Sequence, residues 1–109
     1  MLEGLFGSAN KEKILLYIYA REEGYPRELA KYYGIDLNTI QNQFEKLELG
    51  GVLYSRMVGR TRLYTFNPRF VFLDELKKML EKALSFYSEE ERERLLITRR
   101  RPRRKGKPL

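Results

Sequence analysis

Residues 26–51 read PRELAKYYGIDLNTIQNQFEKLELGG, and this stretch decides the fold. Pro26 suits the first position of a helix, where its missing N–H would be unpaired in any case. That helix spans Pro26 to Tyr33, and Gly34 stops it. After Ile35, Asp36 can accept a hydrogen bond from the free N–H groups of a following helix, Leu37 to Leu49, which Gly50 and Gly51 end. At 100° per residue, Leu37, Ile40, Phe44 and Leu47 fall within about 80° of one another and form a buried stripe. Across the axis lie Asn38, Thr39, Asn42, Glu45, Lys46 and Leu49, a face of amides, a hydroxyl and charges.

Upstream, a helix capped by Ser8 runs from Ala9 to about Glu22 and is closed by Gly24. Its centre, Ile14 to Ala20, is apolar nearly all round, which demands cover on two sides. Downstream, Val52 to Met57 and Arg62 to Phe66 are rich in β-branched and aromatic residues and read as a strand pair. With Gly59-Arg60 as a two-residue loop, Gly59 sits where a type II′ turn needs positive φ. Arg60 is then at the tip, with Arg56 and Arg62 on the shafts. After Asn67-Pro68 a long helix is expected from about Phe70 to Tyr87. Leu73, Leu76, Leu80, Ala83 and Tyr87 follow at 3, 4, 3 and 4 residues as a seam, with Phe72, Met79 and Phe86 at sevens beside it. Ser88 to Glu91 reads as a capping box, so a short final helix either starts anew or prolongs the previous one.

Composition bounds the chemistry. The 109 residues hold no Cys and no His, which removes disulfides, zinc fingers, thiolate nucleophiles and imidazole bases together. There is no glycine-rich phosphate loop and no isolated carboxylate pair in an apolar setting, so neither catalysis, a cofactor nor a metal is expected. The longest apolar run is seven residues, against about 20 for a membrane span, and the N-terminus has no basic n-region. A cytoplasmic protein without membrane attachment is the expectation. The net charge of +7 resides in residues 99–109, where Arg99, Arg100, Arg101, Arg103, Arg104, Lys105 and Lys107 meet no acid. Residues 1–98 are neutral overall and form one expected domain. The tail, interrupted by Pro102, Gly106 and Pro108, is expected to be disordered and to touch polyanions.

Helix, helix, tight turn, helix, hairpin, helix is the order of a winged helix-turn-helix. Leu29-Ala30, Gly34-Ile35 and Ile40, with Phe44 and Leu47 beyond, resemble the helix-turn-helix pattern, in which a small residue lets the helices cross closely. Leu47 to Tyr54 and Arg60 to Asn67 are similar to the recognition-helix end and wing of ArsR-like prokaryotic transcriptional regulators, and Leu5-Phe6-Gly7-Ser8 resembles the opening of such modules. The resemblance covers about residues 5 to 68. It implies a mainly α fold with a small β-hairpin, the wing at about 52–67, and a long C-terminal helix.

It further implies a sequence-specific regulator of double-stranded DNA, with helix 37–49 in the major groove. Asn38, Thr39, Asn42 and Lys46 are side chains suited to base edges and phosphate, and Arg56, Arg60 and Arg62 to phosphate or the minor groove. Leu73, Leu76, Leu80, Ala83 and Tyr87 are the expected homodimer interface. ArsR-like metal sensors usually bind metal through Cys or His, so metal sensing is not implied here. The competing reading is a winged-helix protein-interaction or RNA-binding module whose Arg-rich tail grips RNA. Fourteen Tyr and Phe side chains could line an effector pocket, but residues of this kind more often form core.

Overall fold

The computed structural model describes residues 1–96. Helix α1 (Glu3–Phe6) is a single turn, and α2 (Ala9–Arg21) is the central element. A two-residue strand β1 (Glu23–Gly24) leads to α3 (Pro26–Tyr33) and α4 (Leu37–Leu49). Strands β2 (Leu53–Val58) and β3 (Thr61–Phe66) form the hairpin, α5 (Leu73–Leu84) follows, and a helix α6 covers residues 89–96. The sheet is antiparallel throughout, in the order β1-β3-β2. The fold is mainly helical with a small hairpin sheet, as the sequence implies. No helix among the described residues is long and apolar enough to cross a membrane.

The caps act where the sequence places them. Ser8 Oγ accepts from the amides of Asn10 and Lys11 at 3.1 and 3.2 Å. Gly34, at φ 67°, ends α3 with its N–H on the Ala30 carbonyl, and three residues later α4 has begun. Helix α2 departs from the expectation at its end: Glu22, not Gly24, takes the left-handed conformation, at φ 75°. Gly24 serves packing instead. A Cβ there would lie 3.0 Å from Leu29 Cδ1 and 3.1 Å from Tyr17 Cε1, so glycine lets β1 pair with β3 close against α2 and α3 without those side chains giving way.

Helix α2 is covered on several sides, with Ile14, Leu15, Leu16, Tyr17 and Ile18 all buried. Its two buried charges hold flanking chain. Glu12 accepts from the Leu2 amide at 2.9 Å. Arg21 donates through Nε to the Leu95 carbonyl at 2.7 Å, through Nη2 to that of Arg94 at 3.4 Å, and through Nη1 to the Tyr17 hydroxyl. Its guanidinium lies over the rings of Tyr17 and Tyr32, 4.1 and 4.9 Å from their centroids.

This clamp accompanies a departure from the expected helix bounds. The long helix expected over 70–87 is shorter, Leu73–Leu84, and α6 starts anew. The amides of Phe86 and Tyr87 reach back three residues, to Ala83 and Leu84, tightening the turn. The Ser88 capping box then opens α6, with Glu91 N on Ser88 Oγ at 3.1 Å and Ser88 N on Glu91 Oε1 at 3.2 Å. Folding back lets Leu95 enter the core.

The seam expected at a homodimer interface is occupied within the chain. Leu76, Leu80 and Ala83 are buried within the single chain, and Leu73 and Tyr87 are half-buried against the same core. Helix α2, apolar all round, takes that seam. Val71, Phe72 and Phe86 are the large apolar side chains of residues 70–87 left exposed.

Candidate nucleic-acid interface

Helix α4 is oriented by what it buries. Ile40, Phe44 and Leu47 enter the core, and the Phe44 ring lies 4.3 Å from that of Tyr64 on β3, fixing the helix against the sheet. Burial, and secondarily the nearby Glu48 carboxylate, raises the Tyr64 pKa, so this phenol is neutral at physiological pH. Asp36 Oδ2 caps the helix, accepting from the Thr39 amide at 3.1 Å and the Thr39 hydroxyl at 3.3 Å.

With the stripe inside, the opposite face is in water. Asn38, Asn42, Glu45 and Leu49 are exposed and lie within about 60° of one another on the side away from Ile40. Lys46 and Gln41 are exposed on the two flanks, and Thr39 is half-buried. Thr39, Asn42, Gln43, Glu45, Lys46 and Leu49 line one shallow groove along this face. The structure therefore brings together Asn38, Thr39, Asn42 and Lys46, with the Thr39 hydroxyl engaged in the cap.

The hairpin turns as expected: Val58 pairs with Thr61, and Gly59 takes φ 65° while Arg60 does not adopt positive φ, the pattern of type II′. Register sorts the arginines by face. Met57 pairs with Arg62 and Ser55 with Tyr64, so Arg62 shares the side of the sheet that meets α4. Arg62 Nη1 donates to Ser55 Oγ at 2.9 Å, and Ser55 Oγ donates to Glu48 Oε2 of α4 at 2.9 Å, which ties hairpin to helix. Arg56 pairs with Leu63 on the other face, where its Nη2 stands 4.0 Å from Glu23 Oε1. Both partners are more than half exposed, so the pair contributes little.

Between α3, α4 and the hairpin opens a cleft of about 300 Å³, lined by Arg27, Gln41, Arg60, Arg62 and their neighbours, without a carboxylate in its walls. Three arginines, from α3 and the hairpin, and one glutamine of α4 thus line one space. The sequence reading supplies Arg60 and Arg62 but misses Arg27 and Gln41. Gln41 is 100° from Ile40, on the flank of the stripe, and a helical projection finds it once the side facing the hairpin is known. Arg27 has no local signal, because only the tertiary position of α3 brings it to the cleft. The seven tail cations, Arg99 to Lys107, lie outside the described residues.

No family model matches the chain, and no curated protein matches it. Solved structures do. HlyU from Vibrio cholerae, in its reduced form, superposes with a TM-score of 0.62 at 19% identity, over 81% of this chain and 86% of that one. MepR, a transcription regulator of the Staphylococcus aureus multidrug efflux pump MepA, gives 0.59 at 19% identity, over 89% and 78%. A MepR variant bound to an oligodeoxyribonucleotide gives 0.53 at 20% identity, over 89% and 78%. The fold is the winged helix-turn-helix. In its terms α3 and α4 are the helix-turn-helix, and β2–β3 is the wing.

Proposed function

We propose that the protein is a sequence-specific DNA-binding transcriptional regulator of ArsR-like character, acting as a cytoplasmic homodimer on duplex DNA. The observation that carries this reading is the cleft in which Arg27, Arg60 and Arg62 converge beside the amide-bearing outward face of α4. An α-helix fits the major groove, where Asn38 and Asn42 can pair with adenine edges and Lys46 with guanine or phosphate. The arginine cleft can seat a backbone phosphate and fix the register. Arg56, facing away, adds only to the general field. The MepR variant bound to an oligodeoxyribonucleotide lends support by analogy of fold.

Residues 1–98 serve as the binding domain, and the tail 99–109 supplies sequence-independent phosphate contacts, a natural supplement to a body of zero net charge. Exposed Val71, Phe72 and Phe86, which flank the buried α5 seam, are the apolar side chains of this region that a second copy would cover. Selection of bound sequences from randomised duplex DNA tests the reading. A two-fold motif is the expected result, and failure to enrich any motif would overturn it. Light scattering that returns the mass of one chain would remove the dimer alone.

A further inference from the structure

The C-terminal half of the α4 outward face carries two side chains that suit neither phosphate nor water. Leu49 is 90% exposed, more than any other large apolar side chain among the described residues. Glu45 is an exposed carboxylate with no cation paired to it among the described residues. Its neighbours one turn away are Gln41, Asn42, Glu48 and Leu49, so the helix offers it no internal counter-charge. Glu45 and Leu49 are one turn apart on the same ridge as Asn38 and Asn42, and they line the same groove as Asn42 and Lys46.

We propose that Glu45 and Leu49 form a second reading pair, Glu45 accepting a hydrogen bond from the exocyclic amine of a cytosine and Leu49 packing on the methyl group of a neighbouring thymine. The inference rests on α4 lying in the major groove. A carboxylate brought among phosphates raises the free energy of a complex unless a base amine donates to it. Cytosine N4 does so with no acceptor on the same base edge, whereas adenine N6 stands beside the N7 acceptor and guanine and thymine present only acceptors, so Glu45 selects chiefly by penalising the other bases. Side chains on a helix tilt toward its N-terminus, which lays Leu49 over the surface beside Glu45. The methyl of thymine is the one apolar feature the major groove offers it. The midpoints of the pairs Asn38/Asn42 and Glu45/Leu49 are seven residues apart, roughly 10 Å along the axis, or about three base pairs for a helix following the groove.

The test is selection from randomised duplex DNA with the full chain as wild type, Glu45→Gln and Leu49→Ala, followed by binding to the selected and to mismatched duplexes. Glu45→Gln is expected to lose preference for cytosine at one position by about tenfold, to shift it toward adenine, which an amide reads, and to bind random duplex more tightly than wild type. Leu49→Ala is expected to lose preference for thymine at the adjoining position only. Both side chains are exposed, so unchanged circular dichroism and melting should accompany these shifts. A Glu45→Gln protein that enriches the wild-type motif overturns this inference while leaving the DNA-binding reading intact. A wild-type protein that enriches nothing defeats that reading, and this pair with it.

Discussion

Helices α2 and α4 are each thirteen residues long, and both begin at a side-chain cap and pack on the same core, yet they differ in what surrounds them. Eight residues of α2 are buried, including both of its interior charges, whereas α4 buries three. In α2 the polar groups are turned inward: Glu12 holds the Leu2 amide, and Arg21 holds the carbonyls of α6. In α4 the polar groups of the outer face are left largely unmade, available to a ligand with its own donors and acceptors. A helix covered on most sides fixes the molecule; one covered on a single stripe presents a surface.

That contrast breaks most visibly under truncation. Leu16→Ala should lower unfolding free energy by about 2 to 5 kcal/mol in urea denaturation, because it opens a cavity in a site with no solvent side. Leu49→Ala should stay within about 0.5 kcal/mol of wild type. Comparable losses at both positions would erase the distinction between the two helices.

The converse appears in binding. Asn42→Ala should leave stability unchanged and cost about 1 to 3 kcal/mol on the selected duplex while sparing mismatched ones. Equal losses on both would take Asn42 out of base reading.

Arg21→Met probes how α2 fixes the chain beyond the core. Two carbonyls and the Tyr17 hydroxyl lose a donor, a cost of about 1 to 3 kcal/mol, and the loss should be local, since water can reach the freed α6 end once it lifts. Hydrogen exchange should accelerate at residues 89–96 while α2 remains protected. Uniform acceleration would show that α6 is integral to the cooperative unit.

These residues also mark how far the sequence could be read. The bounds of α3 and α4 follow from Pro26, Gly34, Asp36 and Gly50, because caps and breakers are local chemistry, and the hairpin follows from Gly59-Arg60 for the same reason. The outward face of α4 follows from its stripe. What the sequence does not reveal depends on distant partners. Gly24 packs closely where β1 pairs with β3; Arg21 meets Leu95 across 74 residues, where the chain folds back after α5; and the α5 seam packs into the same core as α2. The same limit applied at the site, where Arg27 enters only through the position of α3.

The cleft itself can be sharpened by comparing arginines. Arg27→Gln should reduce the slope of log K against log salt by about one, as expected if its charge neutralises one phosphate, with little change in base preference. Arg56→Gln, on the opposite face beside Glu23, should leave that slope unchanged. An equal drop for both would mean that the field, not the cleft, holds the backbone.

The smallest expected effect concerns alkali and again separates interior from surface. The Tyr33 pKa is raised above its ordinary value mainly by burial, with smaller contributions from nearby tyrosines, and its hydroxyl donates to the Lys13 carbonyl at 3.0 Å. An acid whose folded pKa exceeds its unfolded value, near 10, contributes nothing pH-dependent while both states hold the proton. Above about pH 10 the unfolded chain releases that proton and the folded one does not, so the folded state binds more protons and stability falls as pH rises. Tyr17, Tyr19, Tyr64 and Tyr87 are shifted the same way, also led by burial. Melting temperature should therefore decline above pH 10. Tyr33→Phe removes one of these titrations together with one hydrogen bond, so it should melt lower at neutral pH yet lose less on going to alkali. Parallel profiles for the two proteins would show that Tyr33 ionises as readily in the folded chain as in the unfolded one.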